Sequence, residues 1–436
     1  MKILFIENRQ KTFFWEKIAE GLSDKHTIHW LVQNKVFIPS EKKNIHLIEY
    51  PKKKVSYEPD QSVEKIISID RQINHFAQKE KSYFYYYNKK IEKILTAIKP
   101  DVVFGESTAF HELLTIENCK KLNIKYLNPS TSRYPKGRFA FYEYDTLKPF
   151  VGSNDSIDQN EINQIIENIT EHKTLPDYMK LKKPSIIDRT LDKILKVYAY
   201  YRGDKFNTPN PFIKFSKELN KKRLKELWEI SSSSLSDIET NSFICLYPLQ
   251  FQPEANIDVW GYKFRDQVAL INSISDSIPK NTLLVIKPNP KSHYEINQNL
   301  IDLINSKSNI IALNHSTQME SILQKTHLVI TVTGTIAIEC IIKNKPVITL
   351  INTINNDADN CLFVHKIEQE LPKVIKKIQN RSFPKINHLD KENFISHLNK
   401  ISYKGLISDP FTDKRCVEHN NIADVVNAFR KICEKI

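Results

Sequence analysis

The chain has 436 residues, 40% of them hydrophobic and 26% charged, which is the balance of a folded globular protein and excludes a disordered or fibrous one. That length exceeds what one hydrophobic core normally serves, so two α/β domains are expected. No stretch approaches the roughly 18 consecutive apolar residues of a membrane span, and the opening apolar run Ile3 to Ile6 is too short for a signal peptide, so a cytoplasmic location is expected.

The net charge of +13 is unevenly placed, with 41 Lys and Arg against 32 Asp and Glu in residues 1 to 250, but nine against eight in 251 to 350. Such a basic surface suits anionic lipid, an anionic glycan or nucleic acid. The densest runs, Lys52 to Lys54 and Lys221 to Arg223, read as solvated faces. Six cysteines are scattered without a CxxC pair or a Cys/His grouping, so idle thiols are expected and no metal site.

In chain order, Lys2 to Glu7 reads as a strand, Phe13 to Leu22 as an amphipathic helix and Thr27 to Val32 as a second strand, the opening of a doubly wound sheet. A second βαβ unit follows in the strand Asp101 to Phe104, the helix Ala109 to Leu122 and the strand Ile124 to Leu127. The tyrosine clusters at 83 to 87 and 198 to 201 read as helix-packing surfaces. Between 150 and 240 the pattern turns polar and helical, with Pro209, Pro211 and the run Ser231 to Ser234. Alternation resumes with strands at Phe243 to Tyr247, Leu283 to Lys287, Ile310 to Leu313, His327 to Val332 and Val347 to Leu350, and a helix near Gln267 to Ile274. An amphipathic stretch, Ile422 to Ile432, closes the chain. The expected division is a Rossmann-like domain at 1–150, a helical linker at 151–240, a second Rossmann-like domain at 241–390 and a helical segment at 391–436.

Three segments of the second domain carry chemistry. With only eight glycines in the chain, Gly334 at a strand-to-helix turn is informative. In Ile330 to Thr335 a buried strand ends in Thr333, Gly334 and Thr335, a loop suited to a phosphate, with Glu339 placed for ribose hydroxyls; a plain helix cap is the alternative. In Tyr247 to Glu254, continuing to Gly261 and Asp266-Gln267, Gln250, Gln252, Glu254 and Asp266 follow the first strand of the second sheet. There the carboxylates can serve as base, nucleophile or oxocarbenium stabiliser, or Asp266 caps the helix after it. In Val285 to Lys291, Lys287 is placed to neutralise a phosphate, with Asn289 beside it. In the first domain, Glu106 follows the strand ending at Phe104, and Ser130 and Arg133 lie where hydroxyls and a guanidinium suit an anionic acceptor, though turn chemistry also explains them.

These segments together resemble the bacterial capsule-polysaccharide biosynthesis family, which includes the β-Kdo transferases of capsule and O-antigen assembly. The resemblance lies in the PLQ…QPE…DQ pattern at Pro248 to Gln267, the KxNP pattern at Lys287 to Pro290, and the TGTxxxE…GKP-like pattern at Thr333 to Pro346. It covers residues 240 to 350 well and 100 to 145 loosely. It implies a GT-B fold of two Rossmann-like domains whose parallel sheets face a central cleft, a nucleotide-sugar donor on the second domain, a glycan or lipid-linked acceptor on the first, and no obligatory metal or other cofactor. Two departures stand out. The His-Pro of many relatives is Asn289-Pro290 here, and a glycine before Lys-Pro is Asn344, which adjusts a helix C-cap.

The expected function is therefore transfer of a sugar, with Kdo or a related sugar acid and a CMP-sugar among the candidates, to a growing surface polysaccharide or glycolipid. Asp266 is the candidate nucleophile of a retaining reaction, Glu254 its partner, and Glu106 the base of an inverting one. A nucleotide-sugar epimerase or hydrolase is the alternative, and a non-catalytic basic binding protein a third. Carboxylates at both expected sheet edges speak against nucleic acid, and the basic first half allows peripheral contact with the inner membrane.

Overall fold

The computed structural model describes residues 1–51, 57–171, 186–238, 242–292 and 294–436. The run Lys52 to Lys54 lies outside them. The first sheet holds β1 (Lys2–Ile6), β2 (Thr27–Val32), β3 (Ile45–Leu47), β4 (Val102–Phe104), β5 (Lys125–Thr131), β6 (Arg138–Glu143) and β13 (Tyr403–Lys404), in the order β13-β6-β5-β4-β1-β2-β3. Strands β1 to β5 pair in parallel; β6 folds back antiparallel on β5, and β13 pairs antiparallel with β6.

The second sheet holds β7 (Phe243–Pro248), β8 (Thr282–Lys287), β9 (Ile310–Ala312), β10 (Leu328–Thr331), β11 (Val347–Thr349) and β12 (Cys361–Phe363), in the order β12-β11-β10-β7-β8-β9, all parallel. Its strands are near-continuous apolar runs because helices cover both faces; Cys245 to Tyr247 and Leu328 to Ile330 are fully buried. The expected α/β class is present, as two Rossmann-like sheets.

In both sheets the strand order reverses beside the first strand, between β1 and β4 and between β7 and β10. The carboxyl ends of strands at such a reversal are where open α/β sheets bind ligands, because the loops diverge there and leave a crevice.

The chain divides into one unit of Met1–Asp158, Leu175–Lys214 and Ile395–Ile436, and another of Gln159–Thr174 and Phe215–Phe394. The boundaries drawn at 150, 240 and 390 shift accordingly. The region 151–240 is no separate domain, because the helix Gln159–Thr170 packs on the helix Ile336–Ile342 of the second unit. Nor is 391–436 an appendage. The helix His419–Cys433 buries Val425, Phe429 and Ile432 in the core of the first sheet, with the Phe429 ring 4.7 Å from Phe104 and 4.9 Å from Phe141. Of the two tyrosine clusters, the first packs as expected, with Tyr83 and Tyr87 fully buried. The second does not: Tyr198 and Tyr201 face outward.

Candidate functional site

The loop after β7 is shaped by three glutamines. Gln267, buried at the start of the helix Gln267–Ser277, accepts through Oε1 from the Tyr247 hydroxyl at 3.0 Å and the Gln250 N–H at 2.8 Å, and donates through Nε2 to the Gln250 carbonyl and the Gln252 Oε1, both at 2.8 Å. Gln252 in turn donates to Asp258 Oδ1 at 2.8 Å and to the Arg265 carbonyl at 3.0 Å. Its whole amide is thus consumed inside the protein, which corrects its expected place against the donor. Gln250 is half-buried and spends Nε2 on the Pro248 carbonyl and Thr331 Oγ1, each at 3.3 Å, leaving its Oε1 to the edge.

Asp266 takes the other of the two roles open to it. It is the N-cap of Gln267–Ser277, its Oδ1 accepting from the Ala269 N–H at 3.0 Å, and it is exposed. Glu254 is exposed as well; its N–H donates to Asp258 Oδ2 at 3.0 Å, and its carbonyl accepts from Asp258 N–H at 2.9 Å. The buried carboxylate of this loop is Asp258, not either candidate.

At the end of β8, Lys287 is 2% exposed and its Nζ donates to the Pro288 carbonyl at 2.9 Å and the His315 carbonyl at 3.0 Å. Among the described residues no carboxylate lies within ion-pair distance of it. Burial pushes its pKa down to about 8, against the pull of the more distant Glu229. Asn289 folds the next turn, Oδ1 accepting from the Lys291 N–H at 2.8 Å, and among the described residues its side-chain N–H groups meet no acceptor. Three residues absent from the sequence reading join here. His315, two residues past Leu313 at the same sheet edge, pairs through Nδ1 with Glu229 and lies 3.0 Å through Nε2 from Ser292 Oγ. Burial holds the His315 imidazole below its ordinary pKa despite Glu229. Burial acts the opposite way on Glu229, yet hydrogen bonds from Asn314 and His315 keep that carboxyl below the usual range. An imidazole thus stands at the neighbouring strand end, with Nδ1 on Glu229 and Nε2 on Ser292. Reading every strand end for polar side chains, and not only the motifs, finds it.

After β10, Gly334 donates its N–H to Thr331 Oγ1 at 3.0 Å, so that donor is already taken. A Cβ at Gly334 would overlap Thr331 Oγ1, which corrects the expected reason for the glycine: it makes room for the protein's own side chain. Thr333 Oγ1 donates to the Asn256 carbonyl at 3.3 Å, tying this loop to the one after β7. Thr335 is the N-cap of Ile336–Ile342 without a side-chain cap bond, and Glu339 is half-buried within that helix. Asn344 ends it at φ +52°, a left-handed conformation asparagine tolerates, and its side chain bonds both backbone groups of Ile386, at 2.8 and 2.9 Å. The expected C-cap adjustment is present.

In the first unit, the edge at β1 and β4 is a polar cluster. Glu106 pairs with Lys11 and accepts from Asn8 Nδ2 at 2.9 Å. The fully buried Glu112, which the sequence reading passed over, gathers donors from Asn8, Thr108 and the N–H groups of Glu106 and Ala109 at 2.8 to 3.2 Å. Ser130 lies inside β5, opposite Ala140 in the antiparallel pair, and not in a loop past the strand; Arg133 lies in the hairpin between β5 and β6. No group of three or more His, Cys, Asp or Glu that could hold a metal is found among the described residues.

Topology and polar edges define a class, an α/β protein of two Rossmann-like units with each polar cluster at a strand-order reversal or one strand from it. Residues 155–355 match the family of capsule polysaccharide biosynthesis proteins, over the segment that carries all three motifs. No curated protein matches the chain. Similar solved structures include UDP-GlcNAc 2-epimerase from Methanocaldococcus jannaschii, 16% identical over 91% of this chain and 99% of that one, with a TM-score of 0.28. Another is the UDP-GlcNAc 2-epimerase of Neisseria meningitidis bound to UDP-GlcNAc, 13% identical over 99% and 100%, TM-score 0.30. A third is MurG of Acinetobacter baumannii, 10% identical over 99% of both chains, TM-score 0.28.

Proposed function

We propose that the chain is a glycosyltransferase that moves a sugar from a nucleotide-sugar donor to a bacterial surface polysaccharide or glycolipid, with Kdo, carried as a CMP-sugar, the first sugar to test. The observation that carries this reading is Lys287. A buried ammonium that among the described residues is bonded only to carbonyls keeps its charge at a cost, and a donor phosphate at the β8 end would supply the missing anion. The family match over 155–355 supports the same reading.

In it, Lys287 and the Asn289 amide hold the phosphate, Gln250 Oε1 and Glu339 contact the nucleoside, and the Thr335 hydroxyl completes the edge. Asp266 caps its helix through Oδ1, and the Glu106 carboxylate, held by Lys11 and Asn8 in the first unit, is the candidate base of an inverting reaction. The acceptor hydroxyl gives its proton to a base while its oxygen bonds the anomeric carbon. The bond from that carbon to the donor phosphate oxygen breaks, and the electron pair leaves with the phosphate beside Lys287. Ser130 and Arg133 contact the acceptor.

Incubation with CMP-, UDP-, GDP- and dTDP-sugars, with and without capsular oligosaccharide acceptors, followed by mass spectrometry, tests the reading. One donor is expected to lose its sugar to an acceptor. Consumption at the same rate without acceptor would instead mark an epimerase or hydrolase.

A further inference from the structure

The helix Ile186–Ala199, with the turn that follows it, is packed with its apolar stripe outward. Ile187, Leu191, Ile194, Tyr198 and Tyr201 recur at intervals of four, three, four and three, so they share one face. They are 72%, 59%, 60%, 50% and 69% exposed. The side turned toward the first unit carries instead Ala199, at 1%, and Asp192, which pairs with Lys196. A helix that ends in water normally presents the reverse arrangement, and a contiguous apolar stripe of this size marks an interaction face.

Charge says what covers it. Between residues 186 and 231 there are eleven Lys and Arg against six Asp and Glu, and Arg189 and Lys193 are exposed on this helix. The Arg202 guanidinium lies over the Tyr198 ring at 5.5 Å. The helix Pro211–Ser231 repeats the composition by itself. Phe212, Phe215 and Leu219 are 80%, 67% and 57% exposed at i, i+3 and i+7, and Lys214, Lys222, Arg223 and Lys225 are exposed along it. Apolar side chains edged by tyrosines, phenylalanines and cations are the composition of a helix that lies in a bilayer interface. A second copy meeting this one through the same face would bring the excess of like charges together. No helix among the described residues is long and apolar enough to cross a membrane, so the contact is one of lying on it.

We propose that the stripe from Ile187 to Tyr201 docks on an anionic phospholipid bilayer, its apolar side chains between the headgroups and its cations against lipid phosphates. This stands independently of the reaction catalysed. Cosedimentation with phosphatidylcholine vesicles, with and without phosphatidylglycerol, tests it. The protein is expected to pellet with the phosphatidylglycerol vesicles, far less with phosphatidylcholine alone, and to be released as salt rises. Leu191→Glu with Ile194→Glu is expected to lower the partition coefficient at least about tenfold, and Lys193→Glu about fivefold. Both variants are expected to keep the parent melting temperature, since these side chains meet solvent. Absence of binding to anionic vesicles, or binding that the Leu191→Glu, Ile194→Glu change leaves intact, would overturn the proposal. So would a dimer, seen by lipid-free analytical ultracentrifugation, that the same change dissociates.

Discussion

At the scale of single residues, the glutamines show how a motif divides between structure and chemistry. Gln267 satisfies four partners at once, two of them inside the protein core. Gln267→Ala therefore strands the Tyr247 hydroxyl and one end of the Gln252 amide, and is expected to cost about 2 to 3 kcal/mol of stability in urea unfolding. Asp266→Ala removes a helix cap, for a loss of about 1 kcal/mol, whereas Asp266→Asn keeps the cap and is expected to keep turnover. Loss of turnover in a folded Asp266→Asn would return the nucleophile's role to that residue. The sequence showed that polar side chains gather after β7, since the pattern of residue types is visible there. It could not show which amides were already spent, because that depends on Asp258, Arg265 and Tyr247 being brought to the same few ångströms by the fold.

At the scale of elements, the strands that announced themselves were those buried on both faces. Phe243 to Pro248 and Leu328 to Thr331 are apolar runs that end in polar loops, and both were placed within a residue or two. The strands β3, β12 and β13 have three residues or fewer and take their register from neighbours, so no local period betrays them. The hairpin of β5 and β6 was read as a strand and a loop because Asn128 to Ser132 is polar; its antiparallel pairing gives those residues partners on β6. The turn at Gly334 was legible, but its cause was not. Gly334→Val forces apart Thr331 and the loop after β7, and a destabilisation of about 2 kcal/mol is expected in thermal unfolding before any ligand is added. A Gly334→Val protein as stable as its parent would mean that the loop has room to spare.

At the scale of the whole molecule, the C-terminal residues return to the first sheet. Their amphipathic period was plain in Ile422 to Ile432, but the face they cover is set by Phe5, Phe104 and Phe141, more than 270 positions away in sequence. Phe429→Ala is expected to cost about 3 to 5 kcal/mol and to unfold the first unit at lower denaturant than the second, giving two transitions where tryptophan fluorescence reports both. The tyrosine cluster at 198 to 201 reads in sequence as packing surface, and only the orientation of its helix shows Tyr198 and Tyr201 facing outward.

The central claim is that the buried cation at the end of β8 receives the donor phosphate. Its pKa, lowered by burial to about 8 from an ordinary value of 10.5, fixes the sign of a pH effect: the proton is present below about 8 and lost above it, so affinity for an anion is full at neutral pH and falls as pH rises through 8. Calorimetric titration of the protein and of Lys287→Met with CMP and with UDP, from pH 6.5 to 9.5 (a range of about three units around that value), measures this directly. The account predicts binding of at least one nucleotide at pH 7, weakening above pH 8, and a loss of about tenfold or more at pH 7 in Lys287→Met. Binding of the same strength in a folded Lys287→Met protein, with no change across pH 8, would contradict it.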